Sequence, residues 1–341
     1  MKKSLKKKLF EYKIIKFGKK TATPQNMRYF CILESNMAEK YGLVERYRNT
    51  DEQKEFFALF IDNADSNDEL FIIVKGGALP CGFLICKDVA DWGGNIRRQL
   101  TINLSERKMN EKLLEIVDAF IKAKLTKYDT LAIIAKDKEL GEIIRSNGGK
   151  RQYAAQHYTL ARQDIDAKTL AELAAKREKL NGEMRMAYYD AIPEELYEQY
   201  SNLFSELQED MPDVNEPAFV QYVETPEKMA KAAESFAKNN RTHHCYAVFN
   251  ENDEMIAMSN VSVYNNDPRY PYQFLIGVKK QYRGFGIGKW LYAMMYQKLI
   301  EVVDFEKVEI DHHPNNAHAI NISEWIGYKY AHTHTTYLIA K

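Results

Sequence analysis

Short apolar runs alternate along the chain with stretches whose apolar residues recur at helical spacing. Runs such as 70–74, 130–135 and 245–249 have strand length, are rich in branched and aromatic residues, and end at glycine, proline or polar residues. Between such runs, residues 109–121 and 287–300 show the spacing of helices with an apolar face. The alternation of the two patterns predicts an α/β protein with mixed sheets.

The same two patterns predict most of the remaining elements. Further strands are predicted at 12–17, 82–86, 100–104, 183–191, 255–264, 273–278 and 308–311. Further helices are predicted at 23–41, 193–208 and 317–326, together with a short helix that ends at Gly148. A charged helical stretch, 168–180, lies between the two halves of the chain. We interpret it as a linker helix.

The second half of the chain repeats the element order of the first. In both halves a glycine ends a short helix and a tyrosine follows at the same offset, Tyr158 after Gly148 and Tyr337 after Gly327. The matched order and offset predict a duplication. The predicted domains are residues 1–165 and residues 183–341, joined by a linker helix at 166–182.

Composition narrows the class of protein. The chain has 341 residues, 45% of them apolar and 28% charged, which suits a globular protein of two domains. Lys plus Arg and Asp plus Glu are both 48, and a net charge of zero argues against a nucleic-acid partner. No uncharged apolar run reaches membrane-spanning length, and no secretory h-region follows the basic N-terminus. We therefore expect no membrane partner.

Cysteine and histidine spacing does not predict a metal site. The four cysteines lack the spacing of metal ligands and are typical of reduced thiols in a cytoplasmic protein. They are Cys31, Cys81, Cys86 and Cys245. Five of the eight histidines fall between His312 and His334, and none of their spacings matches a ligand motif. We expect solvated or hydrogen-bonded histidines and no metal.

Residues 281–290, "QYRGFGIGKW", place three glycines at alternate positions between the predicted strand 273–278 and a predicted helix. Lys289 stands where a dinucleotide fingerprint needs its last glycine, and Arg283 and Trp290 both break the Walker pattern. What remains is a glycine-rich turn that leads into a helix. Such a turn can hold a pyrophosphate on backbone N–H groups, or it can be a turn without a ligand.

The loop and a second motif resemble those of one family. Gln281-x-x-Gly284-x-Gly286 is similar to the acyl-CoA loop of the GCN5-related N-acetyltransferases (GNAT). Asn316-x-x-Ala319, with a closing Gly327, is similar to a second motif of that family. The resemblance is strong over residues 240–341 and extends more weakly to 183–341. It implies two tandem acyl-CoA N-acyltransferase-like domains, with acetyl-CoA as co-substrate and direct transfer of the acetyl group to an amine.

The resemblance also implies a set of acetyl-CoA-binding residues. The strand that ends at Ile276, Gly277 and Val278 would pair its backbone with the pantetheine arm, and Asn316 would bond near it. The pyrophosphate would lie on the amides of a continuous segment. Its members are Arg283, Gly284, Phe285, Gly286, Ile287 and Gly288. The first half has 105–110 at the equivalent place, with no glycine and with Glu106. We expect the first copy not to bind CoA.

The catalytic residues are less well marked. Many members of the family have a tyrosine acid four residues before the closing glycine, and this chain has Ser323. Ser323 could donate a hydrogen bond to the sulfur, Tyr328 or a water could replace it, or it could be an ordinary helix residue. Asp311 and His312 end the strand that should face the thioester, and His312 is a candidate base. Gln273 could orient a water or the substrate.

An acidic segment suggests the acceptor. Carboxylates surround residues 211–212 in the loop that, by resemblance, helps form the acceptor site. They are Glu206, Glu209, Asp210, Asp213 and Glu216. Glu209 and Asp210 are our candidate substrate residues, and they favour a small cationic amine. A solvated acidic loop is the alternative.

The sequence therefore favours an N-acetyltransferase of the cytoplasm that acts on a small-molecule amine. Two alternatives stay open: a CoA-binding protein without catalysis, and a tRNA-dependent peptidyltransferase on the same fold. The intact glycine loop and the zero net charge argue against the second. An exposed sheet edge could form a homodimer.

Overall fold

A computed structural model describes residues 11–18, 23–41, 68–77, 79–90, 96–106, 109–180, 184–212, 223–238 and 240–340. These residues form two compact units. Unit 1 takes the described residues up to Ala155 together with 331–340. Unit 2 takes the described residues from Gln156 to Tyr330.

Unit 1 has a six-stranded mixed sheet in the order β1-β2-β3-β4-β5-β12. The strands are β1 Tyr12–Phe17, β2 Glu69–Lys75, β3 Leu79–Ala90, β4 Ile96–Leu104, β5 Thr130–Ala135 and β12 Lys329–Ala340. The helices are α1 Pro24–Tyr41, α2 Glu111–Leu125 and α3 Lys138–Ser146. Neighbouring strands are antiparallel except β4 and β5, which are parallel.

The core of unit 1 follows from the apolar spacing of its elements. Helix α2 buries Leu113, Val117 and Ile121, which lie on one face because they are four residues apart. Asn110 begins this helix, since its side chain accepts a hydrogen bond from the Lys112 amide. These apolar side chains pack with the buried residues of β4 and β5 in one cluster.

Unit 2 has a six-stranded mixed sheet in the order β6-β11-β10-β9-β8-β7. The strands are β6 Lys150–Ala161, β7 Arg185–Tyr189, β8 Arg241–Phe249, β9 Met255–Tyr264, β10 Asp267–Val278 and β11 Lys307–His312. The helices are α4 Ala167–Leu180, α5 Tyr197–Glu209, α6 Pro226–Lys238, α7 Ile287–Val302 and α8 Ala317–Ile326. Neighbouring strands are antiparallel except β10 and β11, which are parallel.

Helices cover both faces of the unit 2 sheet. The core on one face contains α7, which buries side chains around most of its circumference. Leu170 and Ala174 of α4 belong to the same core, so the helix predicted as a linker packs as part of unit 2. The core on the other face is formed with α5, through buried residues such as Leu203 and Leu207. The sheet is therefore the middle layer of three.

Each unit takes its last strand from the other half of the sequence. Strand β12, at the end of the chain, pairs with β5 from Thr335↔Ala135 to Ala340↔Thr130. The second part of β6 pairs with β11 from Gln156↔His312 to Ala161↔Lys307. The sequence predictions did not include this exchange. The domain boundaries predicted at 165 and 183 divide the sequence rather than the compact units, and they stay a prediction.

The predicted elements are largely those of the structure. Four match to the residue: Tyr12–Phe17, Thr130–Ala135, Met255–Tyr264 and Ala317–Ile326. Several predicted strands were too short: β3, β4, β8 and β10 begin at Leu79, Ile96, Arg241 and Asp267, ahead of the predicted 82, 100, 245 and 273. Helix α6 was not predicted. Of the predicted acidic segment, Asp213 and Glu216 lie outside the described residues, as does the basic N-terminus.

Candidate functional site

Strands β10 and β11 of unit 2 diverge after a single paired position. They meet at Tyr272↔Glu309. Beyond it β10 stays paired with β9 as far as Val278↔Ala257, while β11 stays paired with β6 as far as His312↔Gln156. Among the residues that the structure describes, the ladder between β10 and β11 contains no further pair. The facing backbone edges of the two strands therefore border an opening in the sheet.

A bulge in β10 lies at the start of this opening. The register against β9 shifts between Gln273↔Val261 and Leu275↔Asn260, so Phe274 is the extra residue. Gln273 is fully buried, and its Nε2 donates to the carbonyl oxygens of Asn260 at 2.8 Å and Leu275 at 3.0 Å. The structure thus gives Gln273 a place in holding the bulge. Its predicted role at the substrate stays a prediction.

The glycine loop joins the end of β10 to the first turn of α7. Gly284 and Gly286 have φ of +86° and +78°, the left-handed region that favours glycine. Helix α7 begins at Ile287, and the Trp290 amide donates to the Gly286 carbonyl at 3.1 Å. The amides that precede it in the first turn have no acceptor within the helix, and Gly286 brings no capping side chain. This arrangement suits an anion, which the helix dipole also favours.

Arg283 fixes the loop to two neighbouring elements. Its Nε donates to the Val278 carbonyl at 2.9 Å, and its Nη2 lies 2.5 Å from Oδ2 of Asp210 at the end of α5. Both side chains of the ion pair are partly exposed. Asp210, a predicted substrate residue, therefore contacts the predicted pyrophosphate loop. Glu209, the other, is exposed at the last turn of α5.

Gly277 lets α5 pack closely on β10. A Cβ at this position would stand 2.5 Å from Cδ1 of Leu207. Ile276 and Val278, the neighbours of Gly277, pack toward the core that contains α7. The edge of β10 beside the opening is thus supported from both faces of the sheet.

Ser323 and His312, predicted separately as acid and base, lie in one buried chain of hydrogen bonds. The Ser323 hydroxyl lies 2.8 Å from Nε2 of His312 and 2.9 Å from the Tyr292 hydroxyl. Burial lowers the pKa of His312 to about 4 and raises the pKa of Tyr292 to about 12. All three groups are therefore neutral near pH 7. Tyr328, the alternative acid, is also buried, and its hydroxyl bonds to that of Tyr296.

Asp311 lies on the opposite face of β11, because successive strand residues alternate. Its Oδ1 lies 2.8 Å from Nδ1 of His157, and its Oδ2 accepts from the Tyr272 hydroxyl at 3.0 Å. The sequence predicted Asp311 but not His157. A lone histidine in a strand of the first half gives no signal, since only the pairing of β6 with β11 brings it to this place.

Asn316 begins helix α8. Its Oδ1 accepts from the Ala319 amide at 3.3 Å, which is the capping arrangement for a helix N-terminus. The two residues of the second motif, Asn316 and Ala319, are thus partners in the structure. Contact of Asn316 with a ligand stays a prediction.

The equivalent place in unit 1 is occupied by side chains. Lys40 Nζ donates to the Leu104 carbonyl at the end of β4 at 2.8 Å and lies 2.8 Å from Asp137, just after β5. The Tyr41 hydroxyl lies 2.6 Å from Asp137. Glu106, which replaces the glycine loop, bonds Lys75 at 3.0 Å. The strand ends of unit 1 therefore differ from those of unit 2.

The histidine-rich segment is divided between the units. His312, His313 and His318 belong to unit 2, and His332 and His334 belong to unit 1. Among the described residues, no group of three or more His, Cys, Asp or Glu side chains is arranged to hold a metal ion. No helix in the described part of the chain combines the length and the apolar character that crossing a membrane requires.

Comparisons with known proteins agree on one fold. The sequence profile of the acetyltransferase (GNAT) family matches residues 200–328. A tandem GNAT protein from the clavulanic acid biosynthesis pathway is similar in structure, with a TM-score of 0.61 and 14% identity over 97% of this chain and 98% of that one. A GCN5-related N-acetyltransferase from Sphaerobacter thermophilus has a TM-score of 0.58 and 9% identity over 96% of this chain and 95% of that one.

A third structure shares the same arrangement. It is a GCN5-related glucosamine N-acetyltransferase region of a fungal multi-domain β-N-acetylglucosaminidase, with a TM-score of 0.55 and 11% identity over 97% of this chain and 38% of that one. The curated proteins give no sequence match. The structural likenesses confirm the predicted tandem fold, because they cover nearly the whole of this chain.

Proposed function

Because this chain belongs to the GNAT superfamily of acyltransferases, in its tandem form, we propose that unit 2 transfers the acetyl group of acetyl-CoA directly to an amine. The acceptor in this proposal is a small cationic molecule of the cytoplasm. The observation that carries the proposal is the divergence of β10 from β11 beside a glycine loop that leads into α7.

The residues around the opening fit acetyl-CoA. In the proposal, the pantetheine arm lies along the backbone of Ile276, Gly277 and Val278, and the pyrophosphate lies on the amides from 283 to 288. The loop has room, because no heavy atom lies within 4 Å of a Cβ built on Gly284. Bound acetyl-CoA supplies the thioester. In the proposal, Asn316 bonds near the pantetheine arm, since it is close in sequence to β11, which borders the opening.

In the proposal, the protein assists the transfer by moving one proton from the amine nitrogen to the CoA thiolate. A neutral amine attacks the thioester carbonyl carbon, the C–S bond breaks, and the proton lost by nitrogen ends on the CoA thiol. In the proposal, neutral His312 accepts that proton from the nitrogen and passes it to the CoA thiolate as the C–S bond breaks, with its ring oriented by Ser323 and Tyr292. Ser323 has no exposed surface, so we assign it to the support of His312 rather than to contact with the sulfur.

One observation favours a second candidate, a CoA-binding protein without catalysis. The position of the family's tyrosine acid is taken by Ser323, which is completely buried. The two candidates share the acetyl-CoA site and differ in turnover. Release of CoA thiol in the presence of amines distinguishes them, because only the enzyme consumes the thioester.

A pair of glycine variants tests the site. Gly284→Asp places a carboxylate at the proposed pyrophosphate site and should weaken acetyl-CoA binding at least about tenfold, measured by calorimetry. Gly148→Asp is the matched control, since Gly148 has a φ of +84° and, like Gly284, no heavy atom within 4 Å of an added Cβ. Equal acetyl-CoA affinity in the two folded variants would contradict the proposed site.

A further inference from the structure

Lys289 is a basic residue of the glycine-loop motif that the proposed acetyl-CoA contacts do not use. It is the third residue of α7 and directly follows the segment 283–288, whose amides form the proposed pyrophosphate site. The side chains of a helix lean toward its N-terminus, so the Lys289 side chain leans toward the glycine loop. It is partly buried there. A cation therefore lies beside the turn at which the helix dipole favours anions.

An aromatic ring holds the Lys289 ammonium group. Its Nζ lies 4.4 Å from the ring centroid of Trp325, on α8. In the part of the chain that the structure describes, no carboxylate lies within ion-pair distance of Lys289. A cation–π contact attracts the ammonium without neutralising its charge. Trp325 keeps 39% of its surface exposed, so the pair is accessible to a ligand.

The other basic residues of this turn differ in their partners. Lys279 and Arg283 form ion pairs, each with a nitrogen 2.5 Å from a carboxylate oxygen. Lys280 is exposed and, within the described residues, has no carboxylate partner either. Lys280 precedes the glycine loop and Lys289 follows it. The turn thus keeps one uncompensated cation on each side of the loop, and only Lys289 is held by an aromatic ring.

CoA carries a third phosphate besides the two of its pyrophosphate. The pyrophosphate joins the pantetheine arm to a ribose, and the same ribose carries the 3′-phosphate. One sugar ring separates the two anionic groups. When the pyrophosphate lies on the amides of 283–288, the 3′-phosphate is therefore within reach of a long side chain that begins next to the loop. A fixed ammonium suits this group, because the cation is ordered before the ligand binds.

We propose that Lys289, held on the ring of Trp325, binds the 3′-phosphate of CoA. The inference rests on the proposed function and names its donor class, thioesters of free CoA that carry the 3′-phosphate. An acyl group on the phosphopantetheine of a carrier protein has no 3′-phosphate and would lack this contact. Lys289 is the binding residue, and Trp325 is its positioning residue.

CoA and 3′-dephospho-CoA are the probes for the test, because they differ only in the 3′-phosphate. Calorimetry measures the dissociation constant of each, and the ratio of the two constants isolates the contribution of that phosphate. The variants are Lys289→Gln, Lys289→Arg, Trp325→Leu and Trp325→Phe. Lys280→Gln is the matched control, since it removes a charge of the same turn that also lacks a carboxylate partner among the described residues. Circular dichroism checks that each variant is folded.

Wild type should bind CoA at least about tenfold tighter than 3′-dephospho-CoA. In Lys289→Gln the ratio should fall below about threefold while the affinity for 3′-dephospho-CoA stays unchanged, because only the contact with the 3′-phosphate is lost. Lys289→Arg should keep the ratio, since it keeps the charge. Trp325→Leu should lower the ratio part of the way, and Trp325→Phe should lower it less, since phenylalanine keeps a ring for the ammonium.

A wild-type ratio near one would overturn the inference while leaving the proposed function standing. An equal fall of the ratio in Lys280→Gln and Lys289→Gln would also overturn it, because the effect would then belong to the general charge of the turn. If Lys289→Gln weakens the binding of both probes by the same factor, Lys289 binds the pyrophosphate instead, and the inference is wrong. Equal ratios in wild type and Trp325→Leu would contradict the positioning role of Trp325. If folded wild type binds neither probe, the proposed function itself fails, and the inference fails with it.

Discussion

At the scale of single residues, the ion pair between Arg283 and Asp210 separates two interpretations of the acidic segment. Asp210→Asn removes a negative charge next to the proposed pyrophosphate site and releases Arg283 from its partner. We expect acetyl-CoA to bind about threefold tighter, measured by calorimetry. The free energy of unfolding should change by less than about 1 kcal/mol, because the pair is partly exposed.

Measuring the acetyl-CoA affinity of Asp210→Asn at several salt concentrations provides the control. Tighter binding should fade as ionic strength rises, because the effect is one of charge. If instead acetyl-CoA affinity stays constant and the KM for a cationic amine rises, Asp210 is a substrate residue, as the sequence suggested. That outcome would show that the charge of Asp210 does not affect acetyl-CoA binding at the glycine loop.

His312 should make the protein sensitive to mild acid. Burial lowers its pKa in the folded protein to about 4 from 6.5, so the unfolded chain binds the proton first as pH falls. Stability is therefore full above pH 6.5 and is lost toward pH 4, by about 3 kcal/mol at most. Urea unfolding from about pH 7 to about pH 5 measures it. The loss should be smaller in His312→Gln, and an equal loss in wild type and variant would refute the assignment.

The sequence predicts individual residues where they lie in contiguous motifs. Gly284, Gly286 and Asn316 were all named as candidates this way, and their ligand contacts stay predictions. Ser323 and His312 were named as separate candidates, but their hydrogen bond depends on how α8 packs on the sheet. His157 could not be found, since the register between β6 and β11 is a long-range property.

At the scale of elements, the contact of α5 with β10 depends on Gly277. Gly277→Ala would place a methyl group 2.5 Å from Cδ1 of Leu207, and the Leu207 side chain or the helix that carries it must then shift. We expect a loss of about 1–3 kcal/mol in the free energy of unfolding, measured in urea. Acetyl-CoA affinity should fall with it, because the strand edge beside the opening shifts.

Two further variants control this prediction. Leu207→Ala in the Gly277→Ala background should recover part of the acetyl-CoA affinity, since it removes the atoms that the methyl group meets. Gly288→Ala serves as a folding control, because its Cβ would meet only ordinary contacts, the nearest at 3.6 Å from Ile322. Equal stability of Gly277→Ala and wild type would show that the packing is looser than described.

Elements were predictable where one apolar pattern covers their whole length. Strand β9 is buried almost throughout and was predicted to the residue. The start of β10 was missed because Pro268 and Pro271 break the strand pattern. Helix α6 was missed because Met229 is its one buried side chain, so its apolar face gives little signal.

At the scale of the whole molecule, the strand exchange makes the two halves of the sequence depend on each other. Tyr158 and Leu160 of β6 belong to the core of unit 2, and Tyr337 and Ile339 of β12 belong to the core of unit 1. Each such side chain contributes about 1.5–3 kcal/mol by burial. Fragments 1–165 and 166–341 should therefore not unfold cooperatively when expressed alone, as measured by circular dichroism in urea.

Co-expression of the two fragments is the control. We expect the pair to recover cooperative unfolding, because both exchanged strands are then present. An isolated 166–341 fragment that unfolds cooperatively and binds acetyl-CoA as tightly as the whole chain would contradict the exchange. It would also contradict a contribution of β6 to the site.

The sequence predicted a duplication but did not predict the exchange of strands. Apolar alternation indicates which side chains of a strand are buried and does not indicate which strand it pairs with. The matched offsets from Gly148 to Tyr158 and from Gly327 to Tyr337 identify two equivalent strands. Only the structure shows that each of these strands completes a sheet formed by the other half of the sequence.

We propose one acetyl-CoA site per chain, in unit 2. Unit 2 has the glycine loop and the opening between β10 and β11 that support such a site. In unit 1, side chains lie at the equivalent strand ends, where Lys40 donates to the Leu104 carbonyl. Calorimetric titration of the purified protein with acetyl-CoA measures the stoichiometry directly. We predict one equivalent of acetyl-CoA bound per chain. Two equivalents, or none in a protein shown to be folded, would contradict it.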